Sequence, residues 1–128
     1  MVFANYAPKV SIKNKRKKKM KEIKAIIQPF MLTRVVTALH KIEGLPGITI
    51  SDTKGFGKGK KENAEEGFFE FIPKNKIEVV VPDELVEIVV TTIQENAHTG
   101  NPGDGKIFVL DVENVVKIRT NERGKEAV

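Results

Sequence analysis

The feature that most restricts the fold is a pattern met twice along the chain: an apolar strand-like stretch, a stretch of helical period, then another apolar stretch. In the first copy Ile23, Ala25 and Ile27 alternate with charged Glu22 and Lys24, as a half-buried strand requires. Pro29 falls where a first helical turn tolerates it. Leu32, Val35, Val36, Leu39 and Ile42 recur at helical spacing, and Gly44 supplies a stop. After the turn Gly44-Leu45-Pro46-Gly47, Ile48 and Ile50 open a second strand. In the second copy residues 77–81 are a β-branched run, and Pro82-Asp83 opens a helix with Leu85, Ile88, Val89, Ile93 and Ala97 on its inner face. A glycine-rich turn over 99–106 leads to a fourth strand at 107–110, and 115–118 reads as a short fifth.

Two β-α-β units of this length pair into an α+β, ferredoxin-like sandwich, with an antiparallel sheet, both helices on one face and a long flexible loop between strands 2 and 3. The bare sheet face is apolar in places, which predicts burial in an oligomer. The 128 residues suit a single domain, and 40% apolar residues are enough for a core. With no cysteine, a disulfide framework, a thiolate zinc site and a cysteine nucleophile are excluded. No apolar run approaches the roughly 18 residues of a spanning helix. Nothing resembles a secretory signal, so a cytoplasmic location is expected.

Charge is uneven. Seven of the 22 Lys and Arg residues lie in the first 19, where there is no Asp or Glu. The formal +5 therefore belongs to a basic extension over 1–19, expected to be disordered, and the domain over 20–128 is nearly neutral. That weakens nucleic-acid binding by the fold itself, since phosphate contacts need a basic folded face. A basic arm that touches RNA or lipid, and a natural start at Met20, are the alternatives for this extension.

Two glycine-rich segments stand out. Lys54-Gly55-Phe56-Gly57-Lys58-Gly59-Lys60 follows a strand, but Lys60 stands where the third glycine of a dinucleotide-binding turn belongs. It reads as a loop excursion or as a backbone clamp for an anion. Gly100-Asn101-Pro102-Gly103-Asp104-Gly105-Lys106-Ile107 matches a P-loop spacing except at Ile107, where Ser or Thr would bind Mg²⁺. It also runs from helix to strand, the reverse of a P-loop. Close glycines still let backbone N–H groups converge on phosphate, and Lys106 adds charge. His98 reads as a helix C-terminal residue and His40 as a surface residue. Residues 62–66 read as a solvated acidic loop face. No grouping forms a catalytic constellation, so no enzymatic activity and no metal site are expected.

These residues together resemble the PII signal-transduction (nitrogen regulatory P-II) family. The family's signature, Thr or Ser, three residues, then G-D-G-K-I-F and an aliphatic, runs from Thr99 to Val109 without a mismatch. The opening Met20-Lys21-Glu22-Ile23-Lys24-Ala25-Ile26-Ile27-Gln28-Pro29-Phe30 is similar too. So are Lys54-Gly55-Phe56-Gly57, Pro73-Lys74, Ile77-Glu78-Val79-Val80-Val81-Pro82 and Ile118-Arg119-Thr120. The resemblance implies a homotrimer with adenine-nucleotide sites between subunits, taking ATP or ADP, with Mg²⁺ possible beside ATP. It implies that Gly103, Asp104, Gly105 and Lys106 wrap the phosphates, with Ile26, Gly55, Phe56, Gly57, Lys58 and Val80 lining the same cleft. Gly47, Ile48, Thr49, Glu78, Lys117 and Arg119 would come from the neighbouring subunit, Thr49 near the adenine and the two cations on phosphate. Lys117 stands where an Arg is usual, replacing a bidentate fork by one ammonium. Lys74 stands where family members hold a keto-acid carboxylate and is a small-anion candidate.

The loop departs from the family. Gly59 occupies the place of a Gln that completes a Mg²⁺ shell in relatives, the loop is short, and no tyrosine stands at its tip; Tyr6 is the only one in the chain. This resembles a divergent PII-like branch, some members of which accompany transport or metal-efflux systems, and implies weak or absent 2-oxoglutarate sensing. The leading function is a trimeric regulator that reads adenine nucleotide and controls a partner, a membrane transporter or an enzyme, through its 55–73 loop. The alternatives are a nucleic-acid-associated protein acting through the basic tail and, third, a slow ATPase.

Overall fold

The computed structural model describes residues 19–56 and 70–128. The basic extension, apart from Lys19, and the loop residues 57–69 lie outside them, and with them the expectations for Gly57, Lys58, Gly59 and the acidic run at 62–66.

Four strands form one antiparallel sheet in the order β2-β3-β1-β4: β1 Met20–Ile27, β2 Thr49–Gly55, β3 Ile72–Pro82 and β4 Gly105–Val112. A 3₁₀ turn, Pro29–Met31, leads into helix α1, Leu32–His40; helix α2 spans Asp83–Ala97. This is the expected ferredoxin-like double β-α-β arrangement. Register places Ile23, Ala25 and Ile27 of β1 opposite Val79, Ile77 and Asn75 of β3. Both helices cover that face: Val35 and Leu39 of α1, and Val89, Ile93 and Ala97 of α2, are buried with the strand residues in one cluster. Each such Val, Leu or Ile contributes about 1.5–3 kcal/mol through burial. Asp83 and Glu84 in the first turn of α2 favour its positive end.

The structure corrects several boundaries. Helix α1 ends at His40, so Ile42 lies in the following turn, and Gly44, at φ +82°, ends that turn. Ile88 is 48% exposed, not inward. At 3.6 residues per turn it lies roughly 140° from the middle of the Val89–Ile93–Ala97 stripe, so the other apolar positions of α2 decide which face is buried. Strand β3 begins five residues before the expected 77–81 run. Pro73 is tolerated because β1 has already ended there, its last partner on β3 being Asn75. Residues 115–118 form no strand; Val116 makes one isolated bridge to Arg123.

On the other sheet face Phe108 and Leu110 sit beside Lys24 and Glu22 and are 44% and 39% exposed. This is the bare, partly apolar face that the strand alternation predicts.

Candidate functional site

Helix α2 stops at Ala97, and His98 leaves it in an extended conformation. The chain must then reverse into β4, and it does so around the carboxylate of Asp104. Oδ2 accepts the backbone N–H groups of Thr99 at 2.8 Å and Gly100 at 2.9 Å, and Oδ1 accepts the Thr99 hydroxyl. The Thr99 hydroxyl oxygen in turn accepts the N–H of Asn101 at 3.1 Å. The Thr99 hydroxyl, then the Thr99 and Gly100 N–H groups, hold the Asp104 carboxyl below the usual carboxylate range. The Asp104 carboxylate therefore clasps the turn. The Asn101-Pro102-Gly103-Asp104 segment is a hydrogen-bonded turn, and among the described residues the Gly103 N–H donates to no acceptor. That donor is what the turn offers an anion.

Two glycines here are required by geometry. Gly103 has φ +95°, and a Cβ there would lie 3.1 Å from Nε2 of Gln28. Gly105 has φ +107°, and a Cβ would lie 1.7 Å from the carbonyl oxygen of Ile26. Only glycine lets β4 start this close to β1.

Lys74 joins the turn to the neighbouring strand end. Its Nζ donates to the Gly103 carbonyl at 2.6 Å and to Oε1 of Gln28 at 3.4 Å. Beside it lies an open cleft of about 510 Å³ lined by Pro29, Asp52, Thr53, Lys54, Phe71, Pro73, Lys74 and Asn75. Buried Asn75 donates to Asp52 Oδ1 at 2.9 Å, bracing the cleft wall. The described base of the loop is closed by the Gly55–Ile72 pair and by the Phe56 and Phe71 rings, 5.6 Å apart. Ile26 pairs with Lys106 on β4, so both belong to this end of the sheet.

The other expected residues gather elsewhere. Gly47, Thr49, Glu78 and Val80 line a shallow depression of about 370 Å³ with Glu22, Val115 and Val128, and Ile48 precedes Thr49 at its rim. Val80, expected beside the glycine turn, thus lies within one chain among residues expected from the neighbour. Thr49 pairs directly with Glu78, four residues along β3 from Lys74, or roughly 13 Å at strand spacing. Lys117 and Arg119 lie on a separate C-terminal turn. One chain thus places the expected residues in two separate groups. Gln28 and the Thr99–Asp104 clasp carry roles that sequence reasoning missed, although both lie within motifs it singled out.

The family model for nitrogen regulatory protein P-II matches residues 20–122. The nitrogen regulatory protein P-II of Azospirillum brasilense is 51% identical over 113 residues, covering 85% of this chain and all of that protein. Nitrogen regulatory protein P-II 1 of Escherichia coli is 47% identical with the same coverage. Among solved structures, Arabidopsis thaliana PII bound to citrate is 44% identical with a TM-score of 0.72, covering 88% of this chain and 94% of that one. The B. subtilis GlnK–ATP complex is 33% identical with a TM-score of 0.71, covering 86% and 96%. With a matched signature, an antiparallel β2-β3-β1-β4 sheet and these relatives, the chain belongs to the nitrogen regulatory P-II family of signal-transduction proteins, which are regulators and not enzymes.

Proposed function

We propose that the protein binds ATP or ADP between the subunits of a homotrimer and signals the bound nucleotide to a regulated protein through its 55–73 loop. The observation that carries this reading is the division of the expected site on one chain. The glycine turn with Lys106 and Ile26 stands at one end of the sheet, and Thr49, Glu78, Lys117 and Arg119 stand apart from it. In this reading a second copy supplies one of the two sets, and the nucleotide lies between them. The exposed Phe108 and Leu110 on the bare sheet face are apolar surface that association would remove from water. The similarity to a GlnK solved with ATP supports the choice of ligand.

In this reading the Gly103 N–H and the Lys106 ammonium meet the phosphates, with Asp104 holding the turn in shape. Lys117 and Arg119 of an adjacent subunit add charge, and Thr49 and Glu78 face the nucleoside. Magnesium, where ATP carries it, would add positive charge at the same phosphates; among the described residues no cluster of three His, Cys, Asp or Glu is placed to hold a metal by itself. Lys74, fixed by Gly103 and Gln28 beside the open cleft, is the residue for a small carboxylate or similar anion. The similarity to a PII bound to citrate is consistent with such a subsite. The regulated protein is a transporter or an enzyme that docks on the loop.

Calorimetry with ATP and ADP, together with light scattering, tests the reading. A trimer mass and saturable binding are expected. Lys106→Ala should remove a charge-assisted contact worth about 1.5–3 kcal/mol, weakening binding about tenfold to a hundredfold. Unchanged affinity in that variant, or a monomer that still binds, would refute it.

A further inference from the structure

The turn that carries Lys117 and Arg119 is built around a carboxylate. The Lys117 N–H donates to the Glu122 carbonyl at 2.9 Å, and the Asn121 N–H donates to the Lys117 carbonyl at 2.7 Å. Asn121 takes φ +65°, and the Val116–Arg123 bridge closes the loop behind it. Inside this turn the Thr120 hydroxyl donates to Oε1 of Glu122 at 2.8 Å, and the same oxygen lies 3.5 Å from Nζ of Lys117. The Thr120 hydroxyl, then Lys117, hold the Glu122 carboxyl below its usual range, so it is ionised at neutral pH. Arg119 forms no ion pair among the described residues.

We propose that Glu122 is a built-in counter-ion of the phosphate site, held on Lys117 until a nucleotide's phosphates share or displace it. This rests on the reading above, in which Lys117 and Arg119 face phosphate. An ammonium is a point charge. A carboxylate already on it cancels much of the attraction that an incoming anion would feel. A guanidinium could serve carboxylate and phosphate with different N–H groups, whereas both must compete for one Lys Nζ. The carboxylate is tethered by Thr120, so it stays near the phosphates after displacement and repels them in proportion to their charge. Glu122 therefore lowers affinity most for the most highly charged nucleotide and narrows the difference between ATP, ADP and AMP.

The experiment is calorimetry on the full chain, wild type and Glu122→Gln, with ATP, ADP and AMP at low and high salt. Glutamine keeps an oxygen that accepts the Thr120 hydroxyl, so the turn retains that bond. Glu122→Gln should bind ATP about three- to tenfold tighter, with a smaller gain for ADP, the least for AMP, and all gains shrinking at high salt. Lys117→Arg should also tighten ATP and reduce the gain from Glu122→Gln. Unchanged or weaker ATP binding by Glu122→Gln, with wild-type binding intact, overturns the role of Glu122 and leaves the nucleotide site standing. A gain equal for all three nucleotides and indifferent to salt also overturns it, because that is a packing effect on the turn. Wild-type protein that binds none of the three overturns the nucleotide reading and this inference together.

Discussion

Gly105→Ala should unfold the start of β4, because no side chain fits between β1 and β4 at that point. A Cβ on Gly105 would lie 1.7 Å from the Ile26 carbonyl oxygen and 2.8 Å from its carbon, against an ordinary contact of 3.4–4 Å. Both atoms are backbone, so no rotamer change relieves the overlap. Strand β4 must move away from β1 at the Ile27–Gly105 and Ile26–Lys106 pairs, giving up the end of that ladder. The φ of +107° adds strain of about 1–3 kcal/mol for a residue with a side chain. Each lost ladder bond adds about 0.5–1.5 kcal/mol. The sum is about 2–6 kcal/mol, or a fall in Tm of at least about 8 °C for a domain of this size. Urea and thermal unfolding at one fixed protein concentration would measure it, since association also stabilises the folded chain. Gly55→Ala is the control: a Cβ there meets nothing closer than 3.8 Å, and the change should cost less than about 0.5 kcal/mol. A loss below about 1 kcal/mol in Gly105→Ala would refute the close approach of the two strands.

Titration of 2-oxoglutarate into protein saturated with Mg-ATP should show weak binding or none, because Gly59 offers no side-chain oxygen to the metal and no Gln occurs between 55 and 73; micromolar, ATP-dependent affinity would refute this. The folded-state pKa values of Asp104, Asp111 and Glu122 are all depressed, Asp111 chiefly by Lys21, which lies 2.8 Å away. Stability from these contacts is present above the ordinary carboxylate values, 3.8 for Asp and 4.5 for Glu, and is lost as pH falls through the lower folded values, so the urea midpoint should drop on acidification. Asp104→Asn should flatten part of that drop, and an unchanged pH profile would refute the clasp. A chain starting at Met20 should fold and assemble as the full chain does, by circular dichroism and light scattering; failure to fold would show that the basic extension is structural.

Strand and helix order was legible because a half-buried strand repeats every two residues and a one-sided helix every 3.6, and Ile23, Ala25, Ile27, Val35 and Leu39 obey those periods. The signature at 99–109 likewise marked the glycine turn and its lysine. Other properties depended on long-range neighbours. Ile88 has the composition of a core residue, but the helix turns its other side to the sheet. The 115–118 stretch is β-branched yet finds no strand to pair with, so it ends as one bridge to Arg123. Spacing could not show that Asp104 turns its carboxylate onto Thr99 and Gly100, because the same residue in an open loop would face solvent or ligand. Nor could it show that Lys74 reaches across 29 residues to the Gly103 carbonyl, or that Glu122 folds back on Lys117. Local periodicity decides which face of an element is apolar. Which polar groups meet is decided only when β3, β1 and β4 have paired in one register and brought the ends of distant segments together.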